Sequence, residues 1–420
     1  MKAQYPALLL IACCFALAGT AQLNDPNKVV QNAATNHANS EMNNAAETGL
    51  NKAESGVKGL FKKKSTAKKN DTPATSPSTN TAAGNSSQPA QQAPVTDVKA
   101  YNNYDFVPGT KIVFEDHFTD DQDGEFPTHW ELGAGQAVVN KMGDEKVFML
   151  TDGNYCHVKP LMKSPAYLTD IFTIEFDTYM TDGAYPAKLY FYDNDKQGQV
   201  LANISVSNAT AEFTAADNSG GKSLSGNLPA DISDNNFLNK WHHIAIAYKN
   251  KQVKIYVDQY RVTVIPNCNI TPGAFDIEGI GSSSAPIIIK NVRIAQGGDM
   301  NMLGKKFTDA KIITHGINFD IDKATIKPES MGTLNMIAAV LKDNPDIKFE
   351  VDGHTDNTGA AAHNLTLSQQ RADAVKKQLM AMGVDAPRLG AKGFGDTKPI
   401  SDNNSLEGKA NNRRVEFIKM

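Results

Sequence analysis

The sequence has no large excess of charge of either sign and, beyond its N-terminus, no long apolar run. Its 42 Lys and Arg residues stand against 46 Asp and Glu residues, a formal net charge of −4 over 420 residues. That balance gives no sign of the basic surface on which nucleic-acid binding depends. A membrane-spanning helix needs about 20 consecutive apolar residues, so none is expected after the N-terminus. A chain of this length should fold into two or three domains.

The N-terminus is typical of an export signal. Lys2 is followed by an apolar run over residues 7–18 and by small residues up to Ala21. Such a run is too short to span a bilayer but suits a cleavable signal. We expect residues 1–21 to be removed and the protein to be exported. The alternative is lipidation at Cys13, because the sequence LIAC resembles a lipobox.

Cysteine is scarce, with four residues, two of them inside the signal. Cys156 and Cys268 remain in the mature chain. An oxidising compartment permits a disulfide between them. Two buried free thiols are the alternative, because sequence spacing does not show that the two residues meet.

Residues 22–107 lack a sustained apolar period and predict a disordered region and linker. A short helix could form over residues 48–64, where apolar residues recur on one face before a run of lysines. The segment from 71 to about 97 is rich in Pro, Ser, Thr, Ala and Gln. It cannot bury enough apolar surface to offset its loss of conformational entropy.

Residues 108–297 consist of short alternating runs separated by Gly, Asn, Asp and Pro. This pattern predicts an all-β sandwich. The run QVKIYVD is typical of a half-buried antiparallel strand. Its apolar and polar faces are Val253, Ile255 and Val257 against Lys254, Tyr256 and Asp258.

From about residue 311, strands alternate with helices, which predicts a separate α/β domain over residues 305–420. One helix should start near Pro328, where the missing N–H is tolerated. A second should end at Gly383. The residues expected to be buried in these helices are Leu334, Ile337, Ala338, Leu341, Ala372, Val375, Leu379 and Met382.

A candidate binding site lies between the strand that precedes Asp356 and the following helix. Arg371 is expected in the first turns of that helix, where unpaired N–H groups favour anions. A guanidinium can grip a carboxylate with two hydrogen bonds, and Asp356 can accept an ammonium. The pair therefore suits a zwitterion. The alternative is a surface ion pair beside a helix cap.

The same region resembles the OmpA-like C-terminal domain family, which includes the Pal and MotB domains. The matching pieces are INFDIDKATIKPES, VDGHTDNTG, NLTLSQQRADAVKKQL, GFGDTKPI and NNRRVEF. The resemblance implies a βαβαβ-type fold and non-covalent binding of the diaminopimelate stem peptide of peptidoglycan. It assigns the ammonium to Asp356 and the carboxylate to Arg371, with the pocket completed by Asn364, Leu365 and Arg413. Arg413 could instead be a structural ion-pair partner.

This resemblance implies a cell-wall anchor rather than an enzyme, in the periplasm and associated with the outer membrane of a Gram-negative envelope. Peptidoglycan is the expected partner, and no cofactor is expected. The β-rich part resembles laminin-G-like and concanavalin-like jelly rolls in WHHIAIAYKNKQVKIYVDQYRV and FEDHFTDDQDGEFPTHW. Such modules bind glycans or proteins, often on exposed aromatics. Here Trp130, Tyr190 and Tyr192 are candidates, although core packing is the alternative.

Two chemical patterns occur within the β-rich part. Acidic residues around Gly124 could ligate calcium, Asp121 and Asp123 first, with Asp120 and Glu125 beside them. A solvated acidic turn is the alternative.

The run FTIEFDTYM is similar to the catalytic strand of jelly-roll glycosidases, with Glu175 and Asp177 at the right spacing. A glycan hydrolase that carries a wall-binding domain is therefore the alternative function. Tyr179 and Met180 stand where a third acid is required, which argues against catalysis. His242 and His243 are adjacent, so on a strand they point to opposite faces and do not form a metal pair.

Overall fold

The structure, a computed structural model, describes residues 104–193, 199–216, 223–297 and 310–420. Contacts divide the chain into Met1–Gln92 and Ala93–Met420, and every described residue belongs to the second unit. The predicted signal at 1–21, the alternative lipidation at Cys13 and the helix over 48–64 lie outside the described residues. Among the residues that are described, no helix combines the length and apolar character that crossing a bilayer requires.

The first part of the described chain forms one sheet of 13 strands. β-branched and aromatic residues are frequent along these strands and suit a pleated surface that faces a core. The strands are β1 (Lys111–Asp116), β2 (Trp130–Met142), β3 (Glu145–Pro160), β4 (Ile171–Tyr179), β5 (Lys188–Asp193), β6 (Val200–Val206), β7 (Thr210–Ala215), β8 (Leu224–Asn227), β9 (Trp241–Lys249), β10 (Gln252–Val257), β11 (Tyr260–Ile265), β12 (Pro272–Gly281) and β13 (Ile287–Gln296).

The sheet curls until its two ends meet. The hydrogen-bonded order is β11-β10-β9-β4-β13-β3-β12-β5-β6-β7-β8, with β1 also on β13 and β2 also on β3. β8 and β11 are in close contact. A Cβ added to Gly226 of β8 would lie 2.3 Å from the carbonyl oxygen of Val262 on β11. The predicted jelly roll of two separate sheets is therefore not confirmed, since hydrogen bonds join these strands into one sheet.

One continuous apolar core lies inside this sheet. Its fully buried aromatic residues include Phe118, Phe148, Phe172, Phe213 and Phe275. Burial of a side chain of this size contributes about 1.5–3 kcal/mol to stability. The two cysteines of the described chain, Cys156 and Cys268, are buried in the same core as free thiols.

Strand β10 is buried on both faces, not on one as predicted. Its apolar face enters the core, where Ile255 and Val257 are fully buried. The opposite face is covered by the segment just before β1. Asp105 contacts Nζ of Lys254 at 2.6 Å and accepts a hydrogen bond of 3.0 Å from the Tyr256 hydroxyl. The polar residues that suggested a solvent-facing side are therefore partners of a distant segment.

The second part of the chain forms a four-stranded sheet with three α-helices. The predicted alternation of strands and helices is confirmed. The strand order is β14-β17-β15-β16, with β15 and β16 parallel and the other pairs antiparallel. The elements are β14 (Lys311–Thr314), α1 (Met331–Asp343), β15 (Phe349–His354), α2 (Ala361–Ala381), β16 (Leu389–Gly393), α3 (Leu406–Asn412) and β17 (Arg414–Lys419).

The helices bury the residues that the sequence pattern selects, except Met382, which follows α2 and is only partly buried. Leu334, Ile337 and Leu341 of α1 are fully buried, as are Val375 and Leu379 of α2. Pro328 opens a 3₁₀ turn directly before α1. Gly383 follows α2 with φ +91°, a left-handed conformation that favours glycine at a helix end.

The two sheets share an interface inside the second unit. Tyr104 and Phe106, which fall in the predicted linker, are buried with Tyr256 in the same apolar cluster as the core of the four-stranded sheet. The side chain of Asn411 on α3 pairs with the backbone of Ile112 on β1. It accepts a hydrogen bond of 3.0 Å from the N–H and donates one of 2.8 Å to the carbonyl.

Candidate functional site

Asp356 lies two residues beyond the end of β15, in the loop that leads to α2. The residue is 7% exposed. Its Oδ1 accepts a hydrogen bond of 2.8 Å from the Thr358 N–H, and its Oδ2 accepts one of 2.5 Å from Arg413. Burial alone would raise the pKa of Asp356, but the Thr358 N–H and the Arg413 guanidinium hold it below its usual value. The carboxyl group is therefore charged at neutral pH.

Arg371 lies in the third turn of α2, since the helix begins at Ala361. The prediction that it lies in the opening turns is wrong, so the helix N-terminus does not act beside it. Its Nε donates a hydrogen bond of 2.9 Å to the Lys323 carbonyl, and its Nη2 donates one of 3.4 Å to the Asp320 carbonyl. The guanidinium carbon lies 4.9 Å from the ring centre of Phe319. These contacts fix the plane of the guanidinium.

Two glycines bring α2 directly onto the sheet and so position Arg371. A Cβ on Gly353 of β15 would lie 2.4 Å from the Ser368 carbonyl oxygen. A Cβ on Gly393 of β16 would lie 2.3 Å from the Gln369 nitrogen. Sequence reasoning missed this role. A glycine inside a strand next to a helix is the signal that could have revealed it.

Arg413 follows α3 and carries the second guanidinium of the site. It contacts Asp356 on one side and Glu115 of β1 on the other. Burial would lower its pKa, but the two carboxylates raise it above its usual value. Its neighbour Arg414 points elsewhere and donates a hydrogen bond of 2.7 Å to Glu416. Only the first of the two consecutive arginines therefore belongs to the site.

The charged groups of the site act on one another. Burial and the positive charge of Arg413 lower the pKa of Arg371, while the carboxylates of Asp322 and Asp356 act in the opposite sense. The structure thus places the carboxylate of Asp356 in contact with one guanidinium group and within electrostatic reach of a second. Such a set can hold an ammonium and a carboxylate of one ligand at the same time.

Asn364 and Leu365 occupy the first turns of α2. Asn364 is buried, and its Nδ2 donates hydrogen bonds of 3.3 Å to the Asp356 carbonyl and 3.1 Å to the Thr358 carbonyl. It therefore holds the loop on which Asp356 lies. Leu365 is 50% exposed and is the apolar residue next to that loop.

Glu115 joins the site from the first sheet, which sequence reasoning did not foresee. The residue is 4% exposed. It contacts Arg413 and lies 2.7 Å from Nε and from Nη2 of Arg293 on β13. Burial would raise its pKa, but Arg413 and Arg293 hold it well below its usual value. Glu115 lies at an alternating position of KIVFED, and this local pattern does not predict its contact with Arg413.

The two acids of the glycosidase-like strand lie in the same buried network. Glu175 is 3% exposed and lies 3.4 Å from His243 and 3.9 Å from Arg293. Asp177 contacts His243 at 2.8 Å and accepts a hydrogen bond of 2.6 Å from Asn291. Burial would lower the pKa of His243, yet the two acids raise it well above its usual value. Both carboxylates therefore have cationic partners within the protein.

His242 lies on the opposite face of β9, as its adjacency to His243 predicts. Its ring stacks on Phe237 at 3.9 Å between centres. Its Nδ1 lies 2.8 Å from Asp258, and its Nε2 lies 2.9 Å from the Phe237 carbonyl oxygen. The two histidines do not share a ligand position.

In the structure, the two aspartates predicted to bind calcium, Asp121 and Asp123, have different partners. Asp123 is in contact with Lys141 and Lys146, so lysines already compensate its charge. Asp121 turns inward and is 7% exposed. Its Oδ1 accepts hydrogen bonds of 2.8 and 2.9 Å from the backbone and hydroxyl of Thr128. The two side chains therefore do not form one site.

The candidate glycan-binding aromatics are not equally exposed. Trp130 is 3% exposed, packs on Phe118 and Phe148, and donates a hydrogen bond of 2.9 Å to Asp116. It is a core residue, and the prediction of an exposed binding platform is wrong for it. Tyr190 and Tyr192 are half-buried, and the Tyr192 hydroxyl donates a hydrogen bond of 2.8 Å to Glu278.

Residues 318–413 match the family model that is described as "OmpA family". The second part of the chain is therefore an OmpA-family domain, and it contains Asp356, Arg371 and Arg413.

Among curated relatives, the Probable lipoprotein YiaD of Escherichia coli (strain K12) is 47% identical over 103 residues, or 24% of this chain and 47% of that protein. The Peptidoglycan-binding protein ArfA of Mycobacterium bovis is 41% identical over 102 residues, or 24% of this chain and 31% of that protein. The chain thus spans about half or less of these relatives. A crystal structure of the peptidoglycan-associated lipoprotein from Burkholderia pseudomallei is 26% identical and covers 29% of this chain and 98% of that chain, with a TM-score of 0.25.

Proposed function

We propose that residues 305–420 bind peptidoglycan non-covalently and anchor an exported protein to the cell wall. The observation that carries this proposal is the contact of the Asp356 carboxylate with the Arg413 guanidinium, with the Arg371 guanidinium close enough for its charge to act on both. The OmpA-family match over residues 318–413 supports it. So does the similarity to a protein named as peptidoglycan-binding.

The ligand would be the zwitterionic end of the diaminopimelate side chain in the stem peptide. Its ammonium would approach Asp356, and its carboxylate would approach Arg371. Arg413 and Asn364 would hold the Asp356 loop, and Leu365 would cover the apolar part of the ligand. Contacts with backbone carbonyls fix the Arg371 guanidinium before the ligand arrives, which lowers the entropy lost on binding.

The rest of the chain would serve this anchor. Residues 1–21 would direct export, residues 22–107 would act mainly as a linker, and residues 108–297 would form a module that binds a glycan or a protein. The site of action would be the periplasm, in association with the outer membrane. Binding is favoured over glycan hydrolysis, because Glu175 is buried and lies against His243 and Arg293.

Co-sedimentation of the full chain with diaminopimelate-type peptidoglycan tests this function. Loss of one partner of a desolvated charge pair costs about 2–5 kcal/mol, and about 1.4 kcal/mol is one decade of affinity. Arg371→Ala should therefore weaken binding more than tenfold. Arg371→Lys should not rescue it, because an ammonium lacks the planar fork.

Lys377→Ala is the matched control, since Lys377 is an exposed cation on the same helix. It should bind like the wild type. Peptidoglycan with lysine in place of diaminopimelate lacks the side-chain carboxylate and should bind weakly to every variant. A folded Asp356→Ala, Arg371→Ala double variant that still co-sediments like the wild type would refute the pocket.

A further inference from the structure

The connection between β1 and β2 gathers three aspartates and one histidine. They are Asp116 at the end of β1, Asp120 and Asp121 in the turn, and His129 just before β2. Each offers one ligand atom, and these four atoms lie within 4.8 Å of one another. Four donors on a short connection can surround a single ion without rearrangement of distant elements.

Neutral donors hold two of these carboxylates in place. Asp116 accepts hydrogen bonds of 2.7 Å from the Phe118 N–H and 2.9 Å from the Trp130 indole. Oδ1 of Asp121 accepts two hydrogen bonds from Thr128. The carboxylates are thus pre-oriented by groups that carry no charge. In this respect the cluster differs from an ordinary ion-pair network.

Two buried atoms of the cluster have no hydrogen-bond partner. They are Oδ2 of Asp121, a residue that is 7% exposed, and Nδ1 of His129. This Nδ1 lies 3.7 Å from Asp116, and Nε2 of the same ring lies 3.8 Å from Asp120. Because unpartnered buried polar atoms are rare, these two point to a ligand that they would share.

The nearby lysines do not neutralise the cluster. Lys141 and Lys146 contact the carboxylate of Asp123, and Lys146 also donates a hydrogen bond of 3.0 Å to the Asp121 backbone carbonyl. Three carboxylates therefore face one imidazole, and a divalent cation would offset most of their negative charge.

We propose that Asp116, Asp120, Asp121 and His129 bind one divalent transition-metal ion, Zn²⁺ or Mn²⁺. Carboxylate and imidazole donors together suit these ions. Calcium prefers six to eight oxygen ligands, so the imidazole disfavours it. The ion would clamp the β1–β2 connection onto the sheet. This inference does not rest on the proposed wall-binding function.

Calorimetric titration of the full chain, freed of metal by a chelator, tests the proposal with ZnCl₂, MnCl₂ and CaCl₂. We expect one Zn²⁺ or Mn²⁺ ion per chain and at least tenfold weaker binding of Ca²⁺. The ion should also raise the melting temperature, because it binds only the folded chain. Asp121→Asn and His129→Gln should each weaken binding at least tenfold.

Asp123→Asn is the matched control, because it removes the same charge from the same turn outside the cluster. It should bind the ion like the wild type. His129 is partly exposed, so His129→Gln carries the test if Asp121→Asn does not fold. The proposal is overturned if none of the three ions binds at millimolar concentration. It is also overturned if only Ca²⁺ binds, or if both cluster variants bind like the wild type. In the first case His129 would act as an ion-pair partner of Asp116 and Asp120 only.

Discussion

The proposed wall-binding pocket around Asp356 and the β1–β2 cluster both place aspartates at or beyond the end of a strand, yet the partners of these carboxylates differ. In the pocket, Asp356 is in contact with Arg413, which is also held by Glu115. In the cluster, Asp116 and Asp121 accept hydrogen bonds from backbone, indole and hydroxyl donors, none of them charged.

This difference decides which ligand each site suits. A carboxylate already compensated by guanidinium groups leaves a site of nearly balanced charge, which fits a zwitterion. A carboxylate held by neutral donors keeps its negative charge, which a metal ion can balance. The ligand that an acidic site suits therefore depends on the groups that compensate its carboxylates, and not on residue type alone.

The largest effect should follow from removal of Glu115, which compensates two guanidinium groups. Glu115→Ala removes the carboxylate oxygen that both Nε and Nη2 of the buried Arg293 contact, and it removes one of the two carboxylates on Arg413. Breaking a buried ion pair costs about 3–5 kcal/mol. We expect this loss in the free energy of unfolding, measured by urea denaturation.

Glu131→Ala provides the control for Glu115→Ala. Glu131 pairs with Lys159 at 3.0 Å, but both side chains are about half exposed. A surface pair of this kind contributes about 0–1 kcal/mol. Equal losses from the two variants would mean that the network around Arg413 is not a buried one.

The next effect concerns His354, a buried histidine without a hydrogen-bond partner at the end of β15, the strand that precedes Asp356. His354 is 4% exposed, stacks on Phe394 at 5.3 Å, and has no hydrogen-bond partner at either ring nitrogen. Burial, aided by Arg414, lowers its pKa to about 4. The unfolded chain, with a histidine pKa of about 6.5, binds the proton more tightly. Stability should therefore fall by about 2–3 kcal/mol between pH 6.5 and pH 4 on account of His354.

The measurement is the free energy of unfolding of His354→Phe against the wild type across this pH range. Burial and the neighbouring Glu350 raise the pKa of Asp352 to about 6, which acts in the opposite sense. The prediction therefore concerns the free energy of unfolding of the wild type minus that of His354→Phe, which should fall by about 2–3 kcal/mol between pH 6.5 and pH 4. His363→Gln, on an exposed side chain, controls for the loss of a histidine. A difference that stays constant with pH would contradict the assignment.

Periodicity in the sequence predicts those parts of the fold that depend on local pattern. The buried faces of α1 and α2 and the end of α2 at Gly383 are of this kind. The second buried face of β10 is not. Its polar residues Lys254 and Tyr256 meet Asp105, which lies about 150 positions away in the chain. Local pattern contains no information about such a partner.

The residues of the candidate site also differ in whether the sequence predicts them. Asp356, Arg371 and Arg413 belong to motifs and could be selected from the sequence. Glu115 could not, because only the packing of the two sheets brings it to Arg413. For the acidic turn, spacing selected Asp121 and Asp123. The two lysines that contact Asp123 lie on β2 and β3, and the register in which these strands pair cannot be predicted from the sequence.

The smallest effect tests the comparison itself, by the same substitution in both sites of the metal-free chain. Asp356→Asn removes a carboxylate that Arg413 compensates and replaces a charge-assisted hydrogen bond with a weaker one. It should lower the free energy of unfolding by about 1–2 kcal/mol. Asp121→Asn removes a buried carboxylate held only by neutral donors, and the amide retains the oxygen that Thr128 contacts. It should leave stability unchanged or raise it by up to about 1 kcal/mol.

Urea denaturation in the presence of a chelator measures both changes, with circular dichroism to verify the folded state. Asn is close to Asp in shape, so packing is nearly constant and the sign of each change reports charge compensation. Added Zn²⁺ or Mn²⁺ should then stabilise the wild type and Asp356→Asn but not Asp121→Asn. If Asp121→Asn destabilises the metal-free chain as much as Asp356→Asn does, the carboxylate of Asp121 is compensated within the protein. The distinction between the two sites would then be wrong.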